Sequence, residues 1–286
     1  MDTLCLIGEA VRLLVVRSKA QPLGRFLLSA TYEIIEWYNI LMPSKHPVVE
    51  VKNFRMQLGN KTIIKDLSFE INKGEIFGLL GSNGCGKTTT IRALLGIYEA
   101  TAGELLIDGK KFEPGSDFRV GYLPEERGLY KKETVLDVMC YFGKLRGLKK
   151  AKEWSLKYLK RVGLEKHAKT RIDKLSQGQQ QKIQLGITIM NDPQLLILDE
   201  PTKGFDPVNR KLLMDIIDEL HQRGCTIILI THYMDEVERL CDSILLLKDG
   251  IACAYGKIMD VRKKYKYHNL DQIFIDVYGQ KEEANV

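Results

Sequence analysis

Eight consecutive residues, Gly81 to Thr88, have the composition of a loop that binds phosphate. Their sequence is Gly-Ser-Asn-Gly-Cys-Gly-Lys-Thr, and it separates an apolar run from a run with helical spacing. Glycines free successive backbone N–H groups to surround a β-phosphate, Lys87 can reach the β- and γ-phosphates, and the Thr88 hydroxyl can ligate Mg²⁺. The pattern predicts a nucleotide site, with a structural glycine turn as the alternative. The predicted nucleotide-binding residues of this segment are Gly81, Ser82, Asn83, Gly84, Cys85, Gly86, Lys87, Thr88 and Thr89.

Two adjacent carboxylates follow a second apolar run. Leu195 to Leu198 end in Asp199 and Glu200. A buried strand that delivers a carboxylate beside a phosphate loop supplies an anion for Mg²⁺, and Asp199 suits that role. Glu200 is placed to orient or polarise the attacking water, as a positioned carboxylate does in general base catalysis. A charged turn is the alternative, which the phosphate loop upstream disfavours.

Strand-like and helix-like runs alternate around these motifs and indicate an α/β fold. Short β-type runs precede the phosphate loop at residues 48–52, 62–65, 68–71 and 75–80. Helical periodicity covers residues 134–146, 151–162 and 177–189. Strands resume at residues 194–198, 225–230 and 243–247 and alternate with helices, the rhythm of a parallel sheet. We expect a helical subdomain, at about residues 126–190, inserted into a domain of residues 48–250, with Gly147 and Gly163 as helix stops.

The two ends of the chain differ in character from this middle part. Residues 1–47 carry two apolar bursts interrupted by charge, so neither supplies the roughly 20 apolar residues of a membrane-spanning helix. They predict a helical extension, which either folds back on its own domain or docks on a membrane-embedded partner or the bilayer surface. A helical tail is expected over residues 251–286. Its apolar residues at helical spacing, predicted to pack on the main domain, are Leu270, Ile273, Phe274 and Val277.

Composition and cysteine usage set broad limits on the chemistry. The 286 residues are 44% hydrophobic and carry a formal charge of +6 spread along the chain, which does not distinguish nucleotide, lipid headgroup and nucleic acid as anionic partners. Nucleic acid is not among the expected partners. Six cysteines occur without a CxxC pair, which favours reduced thiols in a cytosolic setting over disulfides or a metal site. Cys85 lies within the phosphate loop, so a thiol reagent should block nucleotide binding if that loop is accessible.

Further motifs occur in a fixed order after the phosphate loop. Residues 175–179 (Leu-Ser-Gln-Gly-Gln) precede residues 199–201 (Asp-Glu-Pro), Asp206 follows, and His232 ends the next predicted strand. Over residues 48 to 255 this order resembles the ATP-binding subunit of ABC transporters. The resemblance implies a P-loop NTPase fold, with a RecA-like parallel core, an antiparallel β subdomain and an inserted α-helical subdomain. It also implies ATP and Mg²⁺ as cofactors.

In that family each ATP is sandwiched between the phosphate loop of one chain and the Leu-Ser-x-Gly-Gln segment of another. The resemblance implies that Ser176, Gly178 and Gln179 contact nucleotide held by a second chain, where a helix N-terminus favours an anion. Asp206 would bridge the dimer, and His232 would contact the γ-phosphate. The implied partners are a second ATPase subunit, identical or related, and a separate transmembrane permease that holds the chain at the cytoplasmic face of the membrane. The expected catalytic residues are Glu200, His232 and Lys87, and the expected metal ligands are Thr88, Asp199 and Glu125.

Three positions depart from the usual pattern of the family. Gln177 stands where Gly is usual, Glu125 stands where Gln is common, and Leu58 lies near the position of the aromatic residue that stacks on adenine. A carboxylate at position 125 can still bind metal, although it adds negative charge close to phosphate. Phe54 or Tyr98 is the expected substitute for stacking on adenine.

The stretch from Pro124 to Tyr130 is similar to bacterial exporter ATPases that extrude sodium, drugs or antibiotic peptides. It indicates an exporter subunit that hydrolyses ATP. Two alternatives stay open: a soluble ABC-type ATPase not coupled to transport, such as an assembly ATPase, and a regulatory nucleotide-binding module. The departures at positions 58, 125 and 177 keep the second alternative open, because departures from a pattern cluster where function differs.

Overall fold

The computed structural model of the chain describes residues 47–126, 128–266 and 269–279. These residues all belong to one compact unit, His46–Val286. The predicted N-terminal helical extension lies outside the described residues, apart from Pro47, and stays a prediction. Among the residues described, no helix combines the length and the apolar character needed to cross a membrane.

Strands and helices alternate along the described chain. The strands are β1 (Val49–Leu58), β2 (Lys61–Ile71), β3 (Ile76–Leu80), β4 (Ala102–Ile107), β5 (Val120–Leu123), β6 (Leu195–Asp199), β7 (Thr226–Ile230), β8 (Ser243–Lys248) and β9 (Ile251–Lys257). The helices are α1 (Lys87–Leu94), α2 (Val135–Leu145), α3 (Ala151–Arg161), α4 (Gln177–Ile189), α5 (Pro207–Gln222), α6 (Met234–Leu240), α7 (Ile258–Tyr265) and α8 (Leu270–Gly279), with 3₁₀ turns at Glu165–His167 and Ile172–Lys174.

The strands form one sheet in the order β4-β1-β2-β9-β8-β3-β7-β6-β5. β8, β3, β7, β6 and β5 run parallel to one another, whereas β9 pairs antiparallel with β8, and β1 pairs antiparallel with both β2 and β4. A single parallel pair, Asp66 with Ile251, joins the antiparallel part to the rest. The predicted α/β fold, with a parallel core and an antiparallel β subdomain, is confirmed.

Two hydrophobic cores cover the two faces of the parallel sheet. β6 is buried along its whole length, and its side chains alternate: Leu196 and Leu198 belong to one core, Leu195 and Ile197 to the other. Alternation follows from the two-residue period of a strand, and burial on both faces explains why these strands are continuous apolar runs. Because both faces of these strands are covered, it is the strand ends that remain available to form a site at the edge of the sheet.

The predicted helical insertion lies between β5 and β6. α2 begins after Thr134, whose hydroxyl accepts the Asp137 N–H, and the predicted stops Gly147 and Gly163 follow α2 and α3 with positive φ. The insertion packs through residues such as Met139 and Ile183 on the core that contains Leu196 and Leu198. The helices therefore cover the face of the sheet beside the strands that carry Asp199 and Glu200.

The structure differs from the predicted pattern at two places. The two runs predicted at residues 62–65 and 68–71 form one strand, β2. The tail expected to be helical from residue 251 begins with β9, which pairs antiparallel with β8. Asp249 and Gly250 both have positive φ, and an Asp-Gly pair is the typical turn of a two-residue hairpin. The later part of the tail is helical, and Leu270, Ile273, Phe274 and Val277 pack on a third core, as predicted.

Candidate active site

Four segments far apart in sequence meet at one edge of the sheet. β3, β7, β6 and β5 are parallel neighbours, so their carboxyl ends lie on the same side. The phosphate loop follows β3, Glu125 follows β5, Asp199 and Glu200 end β6, and His232 follows β7. The parallel register therefore brings the predicted catalytic residues and metal ligands to a common place.

The phosphate loop leads directly into the N-terminus of α1. Gly86 caps the helix with φ 115°, a conformation that residues with a side chain rarely adopt. A Cβ at this position would lie only 2.4 Å from Ile64 Cδ1. Glycine is therefore required at Gly86 both for the backbone angle and for space, and the helix N-terminus points its N–H groups at the loop.

Lys87 is held inside the loop by the carbonyl groups of the loop itself. Its Nζ donates to the carbonyl oxygen of Gly81 at 2.7 Å and to that of Ser82 at 3.0 Å. The residue is buried, so the neutral carbonyls are its main partners in this state. An anionic phosphate is a stronger acceptor for an ammonium group than a neutral carbonyl, and Lys87 is therefore poised to bind one.

Thr88 and Asp199 form a direct link between α1 and β6. Thr88 Oγ1 donates to Asp199 Oδ2 at 3.0 Å, and Asp199 is only 2% exposed. Burial raises the pKa of Asp199 to about 6, with further increases from the nearby Glu125 and Glu200 and an opposing effect of the Thr88 hydroxyl. A cation between these oxygens would offset the concentrated negative charge, and a hydroxyl with carboxylates is the hard donor set that Mg²⁺ prefers. The residues present fit Mg²⁺.

Glu200 and His232 form a close pair at the ends of β6 and β7. His232 Nδ1 lies 2.9 Å from Glu200 Oε1 and 2.8 Å from Oε2, and the Oε1 contact has hydrogen-bond geometry. Oε2 is buried and accepts no hydrogen bond among the described residues. Glu200 has φ 50°, which is uncommon for a residue with a side chain, and its N–H donates to the Ile230 carbonyl. One oxygen of the Glu200 carboxylate is thus hydrogen-bonded to His232, and the other has no hydrogen-bond donor among the described residues.

Glu125, the unusual carboxylate, is paired with a lysine. Lys203 Nζ donates to Glu125 Oε1 at 2.6 Å, and the Glu125 side chain is 44% exposed. Hydrogen bonding and charge attraction from Glu125 raise the pKa of Lys203. The pair offsets the extra negative charge of Glu125, and the sequence analysis missed Lys203 because the two residues are 78 positions apart.

These side chains surround a cavity of about 540 Å³. Its lining residues are Lys61, Ile63, Asn83, Gly84, Gly86, Lys87, Thr88, Thr89, Glu125, Asp199, Glu200, Lys203 and His232. Of the predicted loop residues, Gly81, Ser82 and Cys85 do not line the cavity. Lys61 and Ile63, from β2, were not predicted, because nothing in the local sequence marks a strand residue that faces a distant loop.

Cys85 is turned away from the cavity. The residue is 6% exposed, and burial raises the pKa of its thiol, despite an opposing effect of Lys87. A thiol reagent needs a thiolate that it can reach. The condition attached to the predicted blocking by a thiol reagent, an accessible loop, is therefore not met at Cys85.

The predicted signature segment and Asp206 lie outside the cavity lining. Ser176 caps α4, accepting the Gln179 N–H while the Gln179 side chain accepts the Ser176 N–H. Asp206 caps α5 by accepting the Asn209 N–H at 2.8 Å. Gly178 lies beside Phe205. These residues form two helix N-termini of the chain, and they are not brought together with its own phosphate loop in the cavity.

The residues suggested for adenine stacking do not meet the cavity. Phe54 is 0% exposed in a hydrophobic core, so the prediction that Phe54 stacks on adenine is wrong. Tyr98 lines a separate cavity, and its hydroxyl accepts a hydrogen bond from Arg92 at 3.0 Å. Leu58 is partly exposed and also lies outside the lining. Ile63 instead offers an apolar side chain at the cavity.

Comparisons with known proteins agree with this arrangement. The sequence profile of the ABC transporter family matches residues 64–203. An uncharacterised ABC transporter ATP-binding protein of Methanocaldococcus jannaschii is 46% identical over 77% of this chain and 82% of its own length. Linearmycin resistance ATP-binding protein LnrL of Bacillus subtilis is 37% identical over 75% of this chain and 70% of its own length. Nod factor export ATP-binding protein I of Ralstonia nicotianae is 36% identical over 82% of this chain and 73% of its own length.

A solved structure described as the ATP-binding subunit of an ABC transporter shares the fold. It superposes with a TM-score of 0.74 at 29% sequence identity, over 80% of this chain and 98% of the other. The parallel strand ends, the phosphate loop and the overall likeness to these relatives lead to one conclusion. The chain belongs to the ATP-binding proteins of the ABC transporter family, a family of ATPases.

Proposed function

We propose that the chain hydrolyses Mg-ATP as one half of an ATPase dimer and drives a separate transmembrane permease, as part of an exporter. The observation that carries this proposal is the hydrogen-bonded pair of the buried Glu200 and the exposed His232, which lines one cavity together with the Thr88–Asp199 pair and the phosphate loop. The four side chains come from two strand ends, those of β6 and β7, and one helix, α1. Their convergence is what cleavage of a phosphate bond by water requires.

Thr88 and Asp199 are the residues that would hold Mg²⁺, with Glu125 at the rim. When bound, the metal neutralises charge on the phosphates. Lys87 exchanges its contacts with the carbonyls of Gly81 and Ser82 for phosphate oxygens. This exchange replaces neutral acceptors by charged ones inside a buried site, where such hydrogen bonds are stronger.

Glu200 acts as the general base in this proposal. His232 Nδ1–H donates to Oε1, and Oε2 has no hydrogen-bond partner among the described residues. Oε2 accepts a proton from the attacking water, and His232 fixes the orientation of the carboxylate.

Ser176, Gly178 and Gln179 serve the nucleotide of a second chain in this proposal. Support comes from the exposed position of Ser176 at the start of the 13-residue helix α4 and from its absence from the lining of the cavity of its own chain. A long helix N-terminus with free N–H groups suits a phosphate. Asp206, exposed at the start of α5, would lie at the contact between the two chains.

The exporter assignment follows the relatives. The names of two of them refer to linearmycin resistance and to Nod factor export. A chain of this family acts with a permease that crosses the membrane, which would hold it at the cytoplasmic face. An ATPase that serves no transporter is distinguished by purification from native membranes: an integral membrane protein in stoichiometric complex supports the exporter, and a complex with soluble proteins alone contradicts it.

Glu200→Gln tests the catalytic part. We expect ATP affinity within about threefold of wild type, turnover lower by about 10²–10⁴-fold, and a dimer that persists with ATP, because the amide cannot take the proton. Turnover is measured by phosphate release, and dimer formation by light scattering with ATP and Mg²⁺. Glu153→Gln, on an exposed residue paired with Lys150, is the matched control. Equal turnover in Glu200→Gln and the control would remove Glu200 from the mechanism.

A further inference from the structure

The last described helix, α8, contacts the phosphate loop through one side chain. The Ser82 N–H donates to the Tyr278 hydroxyl oxygen at 3.0 Å, and the Tyr278 hydroxyl donates to the carbonyl of Leu247 in β8. A Cβ built on Gly81 would lie 3.1 Å from the same oxygen, so the phenol sits against the first turn of the loop. Three elements remote in sequence meet at this one oxygen.

The position of Tyr278 is set by packing. Ile273, Phe274 and Val277 of α8 pack on the third core. Lys248, the residue that ends β8, donates from Nζ to the Val277 carbonyl, and its Nζ lies 5.6 Å from the centroid of the Tyr278 ring. A cation at the carbonyls of a helix C-terminus is stabilising. Lys248 thus ties the end of β8 to Val277 and to the ring of Tyr278.

Ser82 links Tyr278 to the catalytic Lys87 through its two backbone groups. Its N–H is bound by Tyr278, and its carbonyl accepts from Lys87 Nζ at 3.0 Å. Tyr278 does not line the cavity, so within the part of the chain that the structure describes it acts on the site through the loop itself, at Ser82 and at Cys85. Both backbone groups of Ser82 therefore have partners within the protein.

We propose that Tyr278 is a positioning residue for ATP binding, which holds the first turn of the phosphate loop against β8 before nucleotide arrives. The proposal rests on the proposed function, since it concerns the same site. A loop already held in one arrangement loses less conformational freedom when it binds ligand, and affinity rises accordingly. In this way α8 stabilises the phosphate loop in one conformation.

Tyr278→Phe removes the hydroxyl and keeps the ring. It leaves the Ser82 N–H without its partner, and a net contribution of one typical hydrogen bond predicts a rise in the Kd for ATP of about two- to tenfold. Turnover at saturating ATP should stay within about twofold, because bound phosphates hold the loop once the site is filled. The variant should thus raise KM and leave kcat nearly unchanged. A general loss of stability would not change one of these constants without the other.

Tyr265→Phe is the matched control. The Tyr265 hydroxyl donates to the Cys253 carbonyl at 3.0 Å, so this variant loses a comparable hydrogen bond in the same tail, away from the loop. Three measurements are made on the full chain: ATP affinity by titration calorimetry, steady-state kinetics, and amide hydrogen exchange of the peptide that contains Ser82. Tyr278→Phe should weaken ATP binding and speed exchange at Ser82, and Tyr265→Phe should change neither.

Two results would overturn the inference: wild-type affinity and exchange in Tyr278→Phe, or an equal loss of affinity in both tyrosine variants. Lys87→Ala separates this failure from failure of the proposed function. If Lys87→Ala abolishes ATP binding while Tyr278→Phe behaves as wild type, only the inference about Tyr278 fails. If Lys87→Ala binds ATP as wild type does, the proposed site itself is wrong. Thermal unfolding of both tyrosine variants confirms that each is folded.

Discussion

Gly86 is the position of the phosphate loop at which an added methyl group meets both strain and a clash. Its φ is 115°, and a Cβ there would lie 2.4 Å from Ile64 Cδ1. Gly84 provides a matched control in the same loop: its φ is 77°, and no atom lies within 4 Å of its built Cβ. Gly86→Ala and Gly84→Ala therefore add the same group to left-handed backbone and differ in the clash.

The expected loss of stability follows from these two effects. Left-handed backbone costs a residue with a side chain about 1–2 kcal/mol, which is the whole effect expected for Gly84→Ala. Gly86→Ala adds overpacking, which costs about 1–3 kcal/mol in a buried site, because Ile64 is fully buried and cannot turn into solvent. We expect the free energy of unfolding to fall by about 2–5 kcal/mol in Gly86→Ala.

Urea denaturation measures the loss of stability, and ATP titration measures the effect on the site. Ile64→Val removes the clashing Cδ1 atom. Alone it should cost about 0.5–1.5 kcal/mol, but in the Gly86→Ala background it should be neutral or stabilising, since it makes room for the added methyl group. Gly86→Ala should also weaken ATP binding more than Gly84→Ala does, because the shifted turn carries Lys87. Equal losses in the two glycine variants, or additive effects of Ile64→Val, would refute the reasoning.

Two further predictions concern buried titratable groups. In native protein without nucleotide, a maleimide should modify the half-buried Cys140 well before Cys85, because Cys85 is buried with a raised pKa; peptide mass spectrometry measures both, and equal rates would contradict the burial of the loop thiol. Burial raises the pKa of Glu236, whose Oε2 accepts from Thr231 and whose Oε1 lies 3.4 Å from Arg210 Nε. The folded state therefore binds a proton more tightly than the unfolded state, so the contribution of Glu236 to stability is greatest below the unfolded pKa and is lost as pH rises through the folded pKa. The stability of wild type relative to Glu236→Gln should accordingly fall as the pH rises above the ordinary glutamate pKa of about 4.3, and a difference that does not change with pH would contradict this.

Much of the fold could be predicted because its signals are local. The periodicity of residues 177–189 predicted α4 with the bounds that the structure has, and glycine stops ended α2 and α3. Apolar runs indicated buried parallel strands, because a strand covered on both faces has no polar side. The Asp249-Gly250 turn was an equally local signal for the β8–β9 hairpin, and it was overlooked in favour of a helical tail.

Contacts between remote residues could not be predicted in the same way. Phe54 was a reasonable candidate for adenine by type, yet the strand register turns it into a core. Lys203 was not predicted, because only the meeting of the β5 and β6 ends gives it Glu125 as a partner. Whether a side chain faces a cavity or a core depends on the packing of elements that are far apart in the chain.

The sequence by itself determined the chemistry: a glycine-rich loop ahead of a helix, a strand that ends in two carboxylates, and a histidine after the next strand. Those features depend on neighbours in the chain, since backbone freedom and strand period are local properties. Only the tertiary structure decided which residues meet across the sheet edge, and that Tyr278, 196 positions from Ser82, holds the loop. Such contacts arise from the docking of one element on another, for which no stretch of neighbouring residues carries the signal.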